Sequence, residues 1–176
     1  MQKRKLMEKA RKIKLFAMDV DGVLTDGKII YDSDGREIKH FNVKDGLGIK
    51  LLRKAGIKTA IITSRDSFPV EKRARELKID FLYQSVKNKI AIIDEIREKL
   101  FLSYDEIAYI GDDLVDIPLL KRVGFPVSVP SSPEIVKRYC VYITKKNGGD
   151  GAVRETVEYI LKLRNEYTEA IKEYLI

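Results

Sequence analysis

Residues 16–27 read FAMDVDGVLTDG, an apolar run that ends on two carboxylates, Asp19 and Asp21, spaced i, i+2. Gathering like charges at the end of an apolar segment is costly. Each disfavours the other's ionisation, and partial burial adds a desolvation penalty. A cation or a reaction has to offset that cost, and the segments around the pair say what kind.

Short apolar runs at 15–20, 59–63, 81–83, 107–110, 126–129 and 141–143 read as strands, most too uniformly apolar to keep one face in water. Helix-period segments lie between them. Asp45 is the expected cap of a helix over 45–54 that stops at Gly56, and Ser67 caps a second with Pro69 in its first turn. A third spans 88–100, a fourth 113–123 up to Gly124, and a long final helix begins near Ala152, with a tail to 176. Strands alternating with helices give an α/β fold, a doubly wound parallel sheet with helices on both faces. One segment departs from that rhythm. Residues 28–40 hold two short extended runs around Asp32-Ser33-Asp34-Gly35, and Asp-Gly in that setting signals a projecting β-hairpin. There are no repeats and no linker, so 1–176 reads as one domain.

Composition excludes several classes. Hydrophobic residues make up 44% and charged residues 35%, and no apolar run approaches the roughly 20 residues of a membrane span. The basic N-terminus lacks an apolar signal segment, and the single Cys140 has no disulfide partner, so a cytoplasmic location and no membrane partner are expected. The net charge of +7 invites a nucleic-acid reading. Yet residues 1–14 carry seven Lys/Arg against one Glu, which leaves only +1 for the other 162 residues. A nucleic-acid binder needs its basic stripe on the folded body. The N-terminal run reads instead as a solvated helix face whose Leu6, Ala10 and Ile13 dock on the core.

In open parallel sheets ligands bind beyond the carboxyl ends of the strands. The first strand delivers Asp19 and Asp21 there, and the second delivers Thr63, Ser64 and Arg65. Lys87 and Lys89 follow the third, and Asp112, Asp113 and Asp116 follow the fourth. Carboxylates, hydroxyls and a cation on one edge describe a site for a hard cation and a phosphate, and oxygen ligands of this kind suit Mg²⁺. Gly22-x-x-x-x-Gly27-Lys28 matches the front of a P-loop, but Ile29 follows and the chain continues extended where a P-loop needs a helix. Lys87 reads as a surface lysine, His40 and Cys140 as structural, and Tyr109 as core or subunit contact.

The strand-end residues resemble, in order, the four motifs of the haloacid dehalogenase-like phosphatases. These are Asp19-x-Asp21-Gly22-x-Leu24-Thr25, then Thr63, then Lys89, then Gly111-Asp112-Asp113-x-x-Asp116. DVDGVLTDG, the hairpin in place of a cap domain, NVKDGLGI at 42–49, TSR at 63–65, GDDLVDIP at 111–118 and GGDGAVRE at 148–155 narrow the resemblance. Together they are similar to the 3-deoxy-D-manno-octulosonate 8-phosphate (KDO 8-phosphate) phosphatases over about residues 12–159. Ser64 departs from the glycine common in relatives.

The resemblance implies hydrolysis of a phosphorylated sugar acid in lipopolysaccharide precursor synthesis. Asp19 is then the nucleophile, Asp21 the acid and base, and Thr63 and Lys89 hold the transferring phosphoryl group. It implies Mg²⁺ on the Asp19 carboxylate, the Asp21 main-chain carbonyl and Asp112, with Asp113 and Asp116 behind them. It places the sugar acid near Asn42, Val43, Lys44, Asp45, Gly46, Lys50, Arg65 and Arg73, with Asp21 and Lys89 also reaching the substrate, and it implies a homotetramer joined through the hairpins. The alternatives are a phosphatase of a related nonulosonate 9-phosphate, a stand-alone relative of a domain attached to some sugar-nucleotide synthetases, and a phosphoacceptor receiver module. The hairpin and GDDLVD would have no role in a receiver.

Overall fold

The computed structural model describes residues 2–175; Met1 and Ile176, the ends of the expected domain and tail, lie outside the described residues. The strands are β1 (Leu15–Met18), β2 (Ile30–Tyr31), β3 (Glu37–Ile38), β4 (Lys58–Ile62), β5 (Phe81–Tyr83), β6 (Ile107–Ile110), β7 (Phe125–Ser128) and β8 (Tyr142–Ile143). The helices are α1 (Gln2–Lys12), α2 (Val43–Lys54), α3 (Phe68–Leu77), α4 (Lys89–Leu100), α5 (Ile117–Leu120), α6 (Glu134–Lys137), α7 (Ala152–Arg164) and α8 (Tyr167–Ala170).

Six strands form one parallel sheet in the order β5-β4-β1-β6-β7-β8. The chain builds outward from β1 through β4 to β5, then returns to the other side of β1 for β6. Met18 consequently pairs with Ile61 on one side and Ile110 on the other. The crevice between β1 and β6 is the point where the winding reverses, and such a point is open to ligands.

Strand side chains alternate between two apolar layers. Leu15, Ala17, Ala60, Ile62, Ile107 and Tyr109 pack with Ile93 and Ile96 of α4, Leu119 and Leu120 of α5 and Val136 of α6. Phe16, Met18, Ile61, Ala108 and Ile110 pack on the opposite face with α1, α2, α3 and α7. This is the doubly wound arrangement that the uniformly apolar strands require. Ala10 and Ile13 are buried and Leu6 is half-buried, so the N-terminal helix docks by the side its spacing marks. Arg164 secures it by donating from one Nη to the carbonyls of Ala10, Arg11 and Ile13.

The hairpin forms around the Asp-Gly turn, with Ile30 opposite Ile38 and Tyr31 opposite Glu37. Ile29, Tyr31 and Ile38 on it remain exposed.

Two local expectations are corrected. Asn42, not Asp45, caps α2 by accepting the Lys44 amide. The expected helix over 113–123 is broken into a 3₁₀ turn, Leu114–Asp116, and the short α5. There the Asp116 carboxylate turns inward and accepts its own turn's amides, which tightens the chain. The last long helix stops at Arg164, where Asn165 adopts a left-handed conformation at φ 60°. The tail then returns to α2, with Glu173 pairing with Lys54 and the Tyr174 ring beneath the Lys54 ammonium.

Candidate active site

β1 delivers Asp19 to the switch-point crevice, where its amide donates to the Ile110 carbonyl at the end of β6. Asp19 Oδ1 accepts the Val20 amide at 2.7 Å, and Oδ2 lies 2.8 Å from Lys89 Nζ. Lys89 opens α4, whose cap Asn88 accepts the Ile90 and Ala91 amides. A cation is ill-placed at a helix N-terminus, so acidic partners must hold it. Besides Asp19, the other is Asp116, whose Oδ1 lies at 2.7 Å, and the neutral Tyr109 hydroxyl adds an acceptor at 3.1 Å.

Asp116 has no exposed surface. Its Oδ1 accepts from Lys89 and from Tyr109 at 2.6 Å, and its Oδ2 from the Asp112 and Asp113 amides at 2.9 and 3.2 Å. All its acceptor capacity is spent on fixing neighbours. Tyr109, read from sequence as core or subunit contact, is a buried core ring and also a polar member of this network.

Burial dominates the electrostatics. It raises the Asp19 pKa to about 6; Lys89 pulls the other way and Asp116 adds repulsion. It raises Asp112 to about 7, with repulsion from Asp19, Asp116 and Asp113 adding to it. Burial works against the Lys89 ammonium, but Asp19 and Asp116 hold its pKa above the ordinary lysine value.

The donor set fits a hard cation. Asp19, Asp112 and Asp116 each place a carboxylate oxygen within 4.8 Å of the others. Because Asp116 is saturated, Asp19 and Asp112 are the carboxylates of the cluster with acceptor capacity left for a metal. The chain also makes room for them. Gly22 has φ +85°, and a Cβ there would lie 2.0 Å from Asp112 Oδ2. Gly148, from GGDG, packs so tightly on this loop that a Cβ would lie 1.8 Å from the Gly22 carbonyl oxygen. Close approach thus explains Gly22 and Gly148.

Asp19, Asp21, Gly27, Thr63, Ser64, Arg65, Asp112, Asp113 and Val115 line an open cleft of about 270 Å³ over this crevice. Thr63 is buried at its floor, and its hydroxyl accepts the Arg65 amide at 3.3 Å. Lys87 is exposed.

Other expected substrate residues are not brought to this cleft. Asn42 is committed to capping α2 and donates its amide to the Gly149 carbonyl. Asp45 is corrected outright: it is 1% exposed, and its Oδ1 accepts the Arg154 amide at the start of α7. Burial raises its pKa to about 6. Gly46 is buried beneath the Arg73 guanidinium, and Arg73 pairs with Glu76. Val43 and Lys44 are exposed on the first turn of α2. Lys50 lines a separate groove with Arg53, Lys54, Lys78 and Tyr174.

Sequence reasoning missed two hairpin residues. Lys39 Nζ pairs with Asp21 Oδ1 and lies 3.3 Å from Glu37 Oε1. Glu37 Oε1 also accepts Arg65 Nη2 at 2.6 Å, and its Oε2 accepts the Ser67 hydroxyl. Alternation along β3 and the residue after it was the available signal, since it sets Glu37 and Lys39 on the side away from Ile38.

The chain is similar to known proteins in both sequence and fold. Residues 82–155 match the haloacid dehalogenase-like hydrolase family. The chain is 41% identical over 165 residues to the 3-deoxy-D-manno-octulosonate 8-phosphate phosphatase of Escherichia coli (strain B / BL21-DE3), covering 94% of this chain and 88% of that one. The Moraxella catarrhalis enzyme of that name, solved with magnesium, phosphate and KDO, is 46% identical with a TM-score of 0.94, covering 97% and 98% of the two chains. The cobalt-bound Haemophilus influenzae phosphatase is 35% identical with a TM-score of 0.89, covering 96% and 99%.

Proposed function

Given that this chain belongs to the KDO 8-phosphate phosphatases of the haloacid dehalogenase-like hydrolases, we propose that it hydrolyses KDO 8-phosphate to KDO and phosphate. It does so as one Mg²⁺-dependent domain, in lipopolysaccharide precursor synthesis. The observation that carries the reading is the convergence of Asp19, Asp21, Asp112 and Lys89 on the β1/β6 crevice.

An Asp19 carboxylate oxygen attacks phosphorus, and the ester bond between phosphorus and the sugar oxygen breaks, leaving an aspartyl-phosphate. Asp21 gives its proton to the departing alkoxide, then takes one from the water that hydrolyses the aspartyl-phosphate. Lys89 and the Thr63 hydroxyl hold phosphoryl oxygens and stabilise the charge that builds on them. Mg²⁺, held by the Asp19 and Asp112 carboxylates and the Asp21 main-chain carbonyl, offsets the repulsion between an anionic nucleophile and an anionic phosphate. Asp113 and Asp116 keep the Asp112 loop in place. Arg65 at the cleft rim receives the sugar-acid carboxylate, for which a guanidinium is the fitting donor.

The cleft of one chain is open, and the sugar-acid contacts expected from Val43, Lys44, Lys50 and Arg73 lie outside it. A neighbouring subunit supplies the missing wall in a homotetramer. The exposure of Ile29, Tyr31 and Ile38 on the hairpin, and of Val43 and Phe68 on the helix starts, supports this. No described helix is long and apolar enough to cross a membrane, and we place the enzyme in the cytoplasm.

Phosphate release from a panel of phosphorylated sugar acids tests the assignment. KDO 8-phosphate is expected to give the highest kcat/KM. Preference for a nonulosonate 9-phosphate would move the chain to the neighbouring specificity.

A further inference from the structure

Lys39 contradicts the ordinary behaviour of a hairpin lysine. Its side chain is only 1% exposed although it projects from a two-stranded ribbon. A buried ammonium needs anionic partners, and here it has Asp21 Oδ1 and Glu37 Oε1. The pairing makes the two Asp21 oxygens unequal. Oδ1 is held by Lys39, while Oδ2 has no hydrogen bond among the described residues and faces Arg65 Nε at 3.7 Å. That nitrogen is itself buried without a hydrogen-bond partner among the described residues. Glu37 joins both sides by accepting Arg65 Nη2 and the Ser67 hydroxyl together with the lysine contact.

Resting on the reading of Asp21 as proton donor, we propose that Lys39 is a positioning residue for leaving-group protonation. It fixes Asp21 through Oδ1 and leaves Oδ2 to meet the departing oxygen, and Glu37 ties this pair to Arg65. In the step concerned, the bond from Asp19 oxygen to phosphorus forms as the ester bond breaks. The proton on Asp21 Oδ2 passes to the sugar oxygen, and Asp21 is left a carboxylate paired with Lys39. The hairpin thus sets the geometry of proton transfer as well as offering an interaction surface.

The test compares esters that differ in their need for that proton. Sugar alkoxide is a poor leaving group and requires it, whereas p-nitrophenolate departs as a stable anion. kcat/KM reports the steps through leaving-group departure, so later hydrolysis of the aspartyl-phosphate does not blur the comparison. In Lys39→Met, kcat/KM for KDO 8-phosphate should fall by about 10²-fold, the usual contribution of a positioned acid, while that for p-nitrophenyl phosphate falls by less than about threefold. Lys39→Gln, which keeps a polar end within the hairpin, is measured alongside in case the methionine variant does not fold, and the same split is expected. Equal losses on both esters would overturn the positioning role and leave Lys39 a structural residue. Wild-type protein inert toward both esters would instead overturn the phosphatase reading on which the inference rests.

Discussion

The Tyr109 hydroxyl donates to Asp116 Oδ1 at 2.6 Å, with both side chains fully buried. That contact completes the wall behind Lys89 and keeps its ammonium aimed at Asp19 rather than at solvent. A strand residue of the core and an acid of the fourth strand-end loop therefore act together on Asp19, the proposed nucleophile that follows the first strand.

Removing that hydroxyl leaves a buried carboxylate short of one donor. Tyr109→Phe should destabilise the fold by about 1.5–3 kcal/mol, the range for a hydrogen bond to a charged group. It should also lower kcat by roughly tenfold as Lys89 loses one of its fixed contacts. Urea denaturation and steady-state kinetics near neutral pH check both; unchanged stability would show that the bond contributes nothing.

Asp45 gives a pH-dependent prediction. Its folded pKa is about 6 against an ordinary 3.8, because it is buried. A raised folded value means that its contribution is fully present below about pH 4 and is lost as pH rises through about 6. Asp45→Asn keeps an acceptor for the Arg154 amide and removes the titration. The variant's stability relative to wild type should therefore improve by about 1–3 kcal/mol between pH 4 and pH 7. Urea midpoints across that range measure it, and parallel curves for the two proteins would refute it.

Asp45 also shows where sequence reading stops. Asn42 and Asp45 are both good capping residues three positions apart, and local preference cannot rank them. The choice is made by the Arg154 amide, 109 residues away, which claims the Asp45 carboxylate. The strand-end groups were legible because a parallel sheet delivers its loops to one edge whatever the details. The hairpin was legible because Asp-Gly demands a turn. Tyr109 and Lys39 were not, since an apolar strand context and a ribbon position each pointed to a commoner role. The break before α5 has the same origin, a side chain turned inward to bond amides of its own loop.

Mg²⁺ should be required. Chelation should abolish activity and added Mg²⁺ restore it, while Asp112→Ala should raise the half-activating Mg²⁺ concentration by at least about tenfold. Saturating Mg²⁺ should also raise the melting temperature of wild type, since it binds only the folded site, and this shift should be lost in Asp112→Ala. Full activity after thorough chelation would contradict the donor set.

Asp19→Asn keeps the shape of the side chain and removes the carboxylate proposed to attack phosphorus. Turnover should fall by at least about 10³-fold, while the variant stays folded. Thermal melting run beside the kinetic assay separates loss of chemistry from loss of fold.

The most direct measurement is capture of the aspartyl-phosphate itself. Wild-type enzyme mixed with Mg²⁺ and KDO 8-phosphate is acid-quenched within a turnover, and the acyl phosphate is reduced with borohydride, which converts a phosphorylated aspartate to homoserine. The account predicts homoserine at position 19 only, dependent on both substrate and metal. Product formed with position 19 unmodified, or with the label at Asp112, would contradict it.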